Sequence, residues 1–209
     1  MSERVETRAI EGYLDLPETP GSETLILTHG AGSNATAPLL AKMAAAFAAN
    51  GFLVLRYNLP FRMRRPKGPP FPAQAAEDRQ GVLRAAAFAR SQAPGVLLAG
   101  GHSYGGRQTA MAAAEHPELF VALLLLSYPL HPPRKPDQKR TSFFPDLRTP
   151  ALFVHGSQDP FGSPEELREA MALIAAPSDL MVVEGAAHDL RRAPDMASEI
   201  LTRLHALIG

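Results

Sequence analysis

The segment from Val96 to Met111, VLLAGGHSYGGRQTAM, constrains the fold of this chain more than any other. A short apolar run leads into Gly100 and Gly101, and Ser103 then stands at the centre of a G-x-S-x-G string, before a helix-forming Ala/Met stretch. Between a strand and a helix, this string builds a sharp turn that exposes the serine hydroxyl. The glycines keep Cβ atoms out of the crowded contact between strand and helix. We therefore predict a strand–turn–helix unit with Ser103 at its apex.

Short apolar runs alternate with helix-like segments along the chain. After a strand or weak hairpin over residues 5–16 that turns near Glu11-Gly12, the predicted strands cover 24–28, 52–57, 96–102, 121–127, 151–155 and 179–183. The predicted helices cover 34–49, capped by Ser33 or Asn34, then 73–91, 106–115, 164–175 with a cap at Ser163, and 194–208. Continuous apolar strands are typical of a parallel sheet that is covered on both faces. The pattern predicts one α/β domain over residues 1–209.

A serine hydroxyl becomes a useful nucleophile only when a general base takes its proton and a third group orients that base. Two turns after later strands can supply these groups. Asp159 follows the strand at 151–155, and His188 follows the strand at 179–183. The chain order Ser103, Asp159, His188 is the order expected of an α/β-hydrolase. We therefore predict that these three side chains form a catalytic triad.

These motifs carry a family resemblance. Four strings support it: THGAGS (28–33), GGHSYGGR (100–107), SYPLHPP (127–133) and HGSQDPFG (155–162). The chain resembles the compact dienelactone-hydrolase-like branch of the α/β-hydrolase superfamily, which includes the hydrolase-like domain of the chromatin NSL-complex subunit. The resemblance implies an α/β-hydrolase fold over nearly the whole chain. Dienelactone hydrolase itself uses a cysteine, which this chain lacks, so its substrate does not carry over.

An oxyanion hole needs two preorganised donors. The N–H of Tyr104 is one candidate, because it lies in the first turn of the predicted helix, where amides are unpaired and the helix dipole favours an anion. The resemblance implies that the N–H of Ala31 is the second donor, with Gly32 as the alternative. Between Ser127 and Ala151 there is room for a loop but not for a helical lid domain.

Each assignment has a structural alternative. Ser103 could belong to a Gly-rich dinucleotide turn, although a clean G-x-G-x-x-G is missing. His188 could be a surface histidine, and Asp159 could cap its turn while Asp189 or Glu184 orients the base.

The remaining candidates are read mainly as structural. His29 and His155 are predicted to hold loops, and His102 to point away from Ser103. His131 stays open, because its loop could overhang the site. Arg107 could pair with an acid beneath the turn, and a structural role is predicted for it rather than contact with the substrate.

Composition excludes several classes. The chain has no cysteine, so disulfides and thiol nucleophiles are excluded, and its histidines do not form a metal-ligand pattern. No apolar leader or membrane-length apolar span occurs, which predicts a cytoplasmic protein without membrane insertion. A net charge of zero argues against a general nucleic-acid binder.

Two proline-rich segments are nevertheless basic. Residues 59–73 carry four cations and no acid, and residues 130–149 carry five cations against two acids. Both segments follow strand ends, so they are predicted to be loops that flank the cleft and favour an anionic acyl substrate or a polyanionic partner.

These observations predict a serine hydrolase that cleaves an ester-type acyl bond without any cofactor. Thioester or peptide substrates and the oligomeric state stay open. The alternative function is a hydrolase-fold interaction module with little or no catalysis.

Overall fold

The computed structural model describes residues 1–190 and 196–209. Within these ranges the strands are β1 (Ser2–Glu6), β2 (Glu11–Asp15), β3 (Glu23–Thr28), β4 (Leu53–Tyr57), β5 (Val96–His102), β6 (Leu123–Leu126), β7 (Ala151–Gly156) and β8 (Ser178–Val183). The helices are α1 (Pro38–Ala49), α2 (Pro60–Arg64), α3 (Ala75–Gln92), α4 (Tyr104–Glu115), α5 (Pro164–Met171) and α6 (Ala197–Ile208).

All eight strands form one sheet in the order β1-β2-β4-β3-β5-β6-β7-β8. The six strands from β3 to β8 are parallel to one another, whereas β2 pairs antiparallel with both β1 and β4 at one edge. The carboxyl ends of β5, β7 and β8 therefore meet at one edge of the sheet, where ligands bind in open α/β folds. The predicted mostly parallel sheet is confirmed.

Helices cover both faces of the sheet. Side chains alternate along each strand, so Ile26 packs into one apolar cluster and its neighbours Leu25 and Leu27 pack into the other. The first cluster is closed mainly by α3, α4 and α5, and the second by α1 and α6. Residues 127–150, between β6 and β7, contain only a single helical turn at Phe144–Asp146, so there is no separate lid domain.

The N-terminal hairpin turns earlier than the sequence suggests. Thr7 makes the turn, because its Oγ1 accepts hydrogen bonds from the N–H groups of Ala9 (3.2 Å) and Ile10 (2.9 Å). The predicted turn residue Gly12 lies inside β2 instead. A Cβ on Gly12 would lie 2.0 Å from the Arg56 carbonyl oxygen, so this glycine permits close approach of β4.

Two helix predictions were wrong near the site. The first helix starts at Pro38 rather than after Asn34, because Asn34 closes a local turn in which its Oδ1 accepts from the N–H of Thr36 at 2.8 Å. The segment 59–73 was predicted to be a loop but contains α2, whose Phe61 N–H donates to Asp78 Oδ1 at 3.0 Å. The predicted start of the last helix, Pro194, lies outside the described residues.

Candidate active site

Ser103 occupies a sharp turn between β5 and α4. Its backbone has φ 52° and ψ −117°, a left-handed conformation that costs a non-glycine residue about 1–3 kcal/mol. Its N–H donates to the Leu126 carbonyl at 2.8 Å, which ties the turn to β6. A Cβ on Gly101 would lie 2.8 Å from the Gly105 backbone, and a Cβ on Gly105 would lie 2.5 Å from the His29 carbonyl oxygen. These glycines therefore allow the close backbone packing that keeps the Ser103 side chain exposed at the turn.

The structure brings Ser103, His188 and Asp159 into one hydrogen-bonded chain. His188 Nε2 lies 2.8 Å from Ser103 Oγ, and His188 Nδ1 lies 2.8 Å from Asp159 Oδ2. An ionised carboxylate only accepts hydrogen bonds, so Nδ1 carries the proton and Nε2 accepts from the serine hydroxyl. Asp159, rather than Asp189 or Glu184, is the acid at Nδ1.

The turn after β7 holds the Asp159 carboxylate in place. Its Oδ1 accepts from the Phe161 N–H at 2.9 Å, and the side chain is buried. His155 closes this turn by donating from Nε2 to the Gly162 carbonyl at 2.9 Å. Burial lowers the pKa of His155, so its ring stays neutral and acts as a structural support, as the sequence predicts.

The turn that carries His188 is held from two sides. The Phe161 ring lies 4.3 Å from the His188 ring, at 32° between the planes. His102 Nε2 donates to the His188 carbonyl at 2.8 Å, a contact that the sequence did not reveal. Burial also lowers the pKa of His102. A neutral His102 adds no positive charge beside His188, whose ring would become an imidazolium when it acts as a general base.

Residues 29–33 form the loop in which the second oxyanion donor is predicted, and we call it the oxyanion loop. It touches the serine turn, because a Cβ on Gly30 would lie 2.9 Å from His102 Nδ1 and 3.5 Å from Ser103 Cβ. The N–H groups of Ala31, Gly32 and Tyr104 donate to no described residue. Among the described residues, all three amides therefore remain available to a ligand.

His29 supports this loop from the sheet side. Its Nε2 accepts from the Leu59 N–H at 3.2 Å, and its Nδ1 donates to the Gly30 carbonyl at 2.9 Å. Burial lowers the pKa of His29 to about 4, so the ring is neutral at physiological pH. His29 thus holds a loop, as predicted.

A cavity of about 750 Å³ lies beside Ser103. The first turn of α1 and the residue before it supply an apolar wall, Ala37 to Leu40, and Phe161 lines the cavity together with His188. Asp189 is the one carboxylate among the described lining residues, and none of these is lysine or arginine.

Three of the four cations of segment 59–73 are held by partners within the chain. Arg64 pairs with Glu77, and Arg65 donates to the Pro69 carbonyl while its guanidinium lies 4.3 Å from the Phe71 ring centroid. Arg62 faces backbone carbonyls behind the oxyanion loop. The basic segments therefore contribute no cation to the described lining of this cavity. The positive rim around the cleft stays a prediction.

Two further candidates lie outside the cavity. Arg107 has no acid partner among the described residues, and its buried Nε has no hydrogen-bond partner there. His131, left open by the sequence, lies against the Pro132 carbonyl at 2.9 Å and does not line the cavity.

Residues 1–190 and 196–209 contain no group of three or more His, Cys, Asp or Glu side chains that could hold a metal ion. In the same ranges, no helix combines the length and the apolar character needed to cross a bilayer.

Comparison with known proteins agrees with this architecture. A family model described as an alpha/beta hydrolase domain matches residues 21–205. The chain therefore belongs to the α/β-hydrolase family.

Among solved structures, the chain is similar to dienelactone hydrolase from Anabaena variabilis, with a TM-score of 0.74, 19% identity and coverage of 99% of this chain and 95% of that one. It is also similar to a lidless α/β serine hydrolase from Xanthomonas campestris, with a TM-score of 0.75, 18% identity and coverage of 100% and 93%. A third is Est1E from Butyrivibrio proteoclasticus with ferulic acid bound, with a TM-score of 0.76, 17% identity and coverage of 98% and 99%. At these identities the likeness shows the fold alone.

Proposed function

We propose that this protein is a serine hydrolase that cleaves ester-type acyl bonds and that residues 1–209 form one catalytic domain. One observation carries the proposal. The carboxylate, imidazole and hydroxyl of Asp159, His188 and Ser103 are linked by two contacts of 2.8 Å, and the serine lies on a strained turn at the edge of a cavity. A nucleophile, its base and the group that orients the base are thus all within hydrogen-bond reach. A surviving triad of this geometry favours catalysis over the alternative of an interaction module.

The proposed reaction has two halves. Ser103 Oγ attacks the carbonyl carbon of the ester while His188 Nε2 takes the hydroxyl proton, and the oxyanion binds the amides of Ala31 and Tyr104. The intermediate collapses to an acyl-serine, and the alcohol leaves with the proton from His188. Water then attacks the acyl carbon while His188 takes its proton. The second intermediate collapses with cleavage of the bond to Ser103 Oγ, which releases the carboxylic acid, and His188 returns the proton to the serine. Asp159 stays ionised and stabilises the imidazolium throughout.

The lining of the cavity indicates which kind of acyl group the site would accept. Ala37 to Leu40 and Phe161 offer apolar surface, and no lysine or arginine of the described lining would neutralise a carboxylate. A buried carboxylate without a partner is strongly disfavoured. We therefore propose a neutral, apolar acyl group, in place of the anionic one that the charge pattern of the sequence suggests.

We expect p-nitrophenyl esters of butyrate and hexanoate to be hydrolysed with a higher kcat/KM than the hemisuccinate ester, by about tenfold or more. Because the basic segments do not line the cavity, neither high salt nor Arg64→Glu/Arg65→Glu should change this ratio. Steady-state rates at low and high ionic strength provide the measurement. A preference for the hemisuccinate that salt and these substitutions abolish would support the positive rim and refute the neutral acyl group. Failure to hydrolyse any of these esters would refute the ester proposal itself.

Activity is expected to survive metal chelation, since the proposed nucleophile is activated by His188 alone. The rate of p-nitrophenyl butyrate hydrolysis should therefore be the same before and after dialysis against EDTA. Loss of activity that one divalent ion restores would contradict the mechanism without a cofactor.

A further inference from the structure

Arg62 is buried behind the oxyanion loop, although the sequence places it in a basic, proline-rich segment. Only 5% of its surface is exposed, and its guanidinium donates to four backbone carbonyls. Nε lies 2.7 Å from the Ser33 oxygen, and Nη2 lies 2.8 Å from the Ala31 oxygen. The other two bonds reach Arg65 at 3.2 Å and Gly68 at 3.1 Å. One side chain thus joins the oxyanion loop to the segment that follows α2.

No carboxylate within residues 1–190 and 196–209 pairs with this buried cation. Each hydrogen bond of Arg62 ends on a carbonyl, and burial together with the charge of Arg65 lowers the pKa of the guanidinium. An apolar side chain of similar size would avoid the cost of burying a charge, but it would leave the Ala31 and Ser33 carbonyls without these donors. The arginine therefore fixes the backbone of the oxyanion loop through these carbonyls.

The geometry of the peptide group turns this contact into control of the amides. The C=O and N–H of one trans peptide plane point in opposite directions, so fixing a carbonyl also fixes the next N–H. The Ala31 carbonyl, held by Arg62, shares its plane with the Gly32 N–H. The Gly30 carbonyl, held by His29 and by the Ser33 N–H at 3.0 Å, shares its plane with the Ala31 N–H. On its other side the loop has little support, since a Cβ on Gly32 would meet no atom within 4 Å.

We propose that Arg62 is a positioning residue of the oxyanion hole, which holds the backbone of residues 31–33 so that the Ala31 and Gly32 amides face the oxyanion formed at Ser103. This inference rests on the proposed function. A hydrogen bond to a carbonyl also polarises the N–H of the same peptide, so the contact between Arg62 and Ala31 strengthens the Gly32 amide as a donor.

The helix that carries Arg62 is linked through Asp78 to Tyr104, the other predicted donor. Asp78 is fully buried, and its Oδ1 accepts from the Phe61 N–H at the start of α2. Its Oδ2 accepts from the Tyr104 hydroxyl at 2.7 Å. One carboxylate thus holds both the helix that carries Arg62 and the residue whose amide is the other predicted donor. The two halves of the oxyanion hole are therefore positioned relative to each other.

The test compares Arg62→Gln and Arg62→Lys with Arg64→Gln, a control on the same helix whose partner, Glu77, lies outside the cavity. Gln loses most of the donors, and Lys keeps the charge but lacks the planar fork that spans two loops. We expect kcat for p-nitrophenyl butyrate to fall by about tenfold to a hundredfold in both Arg62 variants, since misplacing an oxyanion donor costs less than removing it. KM should stay within about threefold, because the loss is confined to the transition state. The Arg64→Gln variant should match the wild type.

A second readout separates positioning from general stability. The serine oxygen adds to the carbonyl carbon of a trifluoromethyl ketone, and the resulting hemiketal carries an oxyanion. The inhibition constant of such a ketone should therefore rise in parallel with the loss of kcat in each Arg62 variant. An unchanged kcat, a lost kcat with an unchanged inhibition constant, or failure of both variants to fold would each overturn the proposal. Wild-type protein that hydrolyses no ester would instead refute the proposed function, so the two failures are distinguishable.

Discussion

Ser103→Ala is expected to lower kcat for p-nitrophenyl butyrate by about 10⁴- to 10⁶-fold, the usual cost of removing a triad nucleophile. The variant should fold normally. It loses the hydrogen bond between the hydroxyl and His188, but the turn is still held by the backbone hydrogen bond to Leu126. Alanine also tolerates the left-handed backbone of this turn no worse than serine does. Steady-state rates, with far-UV circular dichroism as a check on folding, provide the measurement.

The matched control is Ser198→Ala, which removes an exposed hydroxyl on α6 away from the cavity. This variant should keep the wild-type rate. A folded Ser103→Ala variant that retains more than about a tenth of the activity would show that another residue attacks the ester.

The second large effect concerns the acid. Asp159→Asn should lower kcat by about 10⁴-fold, because an amide N–H facing His188 Nδ1 favours the tautomer whose Nε2 cannot accept the serine proton. The change preserves shape, and the amide oxygen can still accept from the Phe161 N–H that now binds Oδ1. Enzyme kinetics across the pH range, together with the melting temperature, distinguish loss of catalysis from loss of structure.

Asp189→Asn is the control, since Asp189 lines the same cavity but does not occupy the site at Nδ1. We expect it to reduce kcat by less than about tenfold. Equal effects of the two substitutions, or a larger effect at Asp189, would move the orienting role to Asp189 and leave Asp159 as a turn residue.

Local patterns predicted most of the elements that carry the site. The capping box at Ser163 is visible in the sequence and begins α5, with the Glu166 N–H donating to Ser163 Oγ at 3.2 Å. The turns after β5, β7 and β8 follow from apolar runs that end in glycine and polar residues. Their convergence follows from the parallel sheet, whose carboxyl ends share one edge.

The errors arose where distant residues decide local structure. The helix α2 forms in a proline-rich basic segment because Asp78, far along the chain, accepts from its first turn. Ala35 donates to Asn58 Oδ1 at 2.7 Å rather than continuing a helix from Asn34. The pattern of apolar and polar residues along a sequence gives no information about such distant partners, so neither contact could be predicted.

The supporting residues of the site were missed for the same reason. An arginine in a basic loop is usually a solvated charge. Only the fold shows that Arg62 is buried against the carbonyls of Ala31 and Ser33, and that His102 donates to the backbone of His188. The proposed catalytic residues can be predicted from their motifs, whereas the residues that hold them in place depend on tertiary contacts.

The most direct test of the proposed mechanism is to locate the covalent bond itself. Purified protein treated with a fluorophosphonate should gain one adduct by intact-mass spectrometry, because the probe modifies an activated serine. Trypsin would release residues 91–107, a peptide that contains Ser91 and Ser103. Fragmentation should place the adduct on Ser103, and neither Ser103→Ala nor heat-denatured protein should be labelled. An adduct on any other residue, or ester hydrolysis by a protein that the probe does not modify, would contradict the serine mechanism.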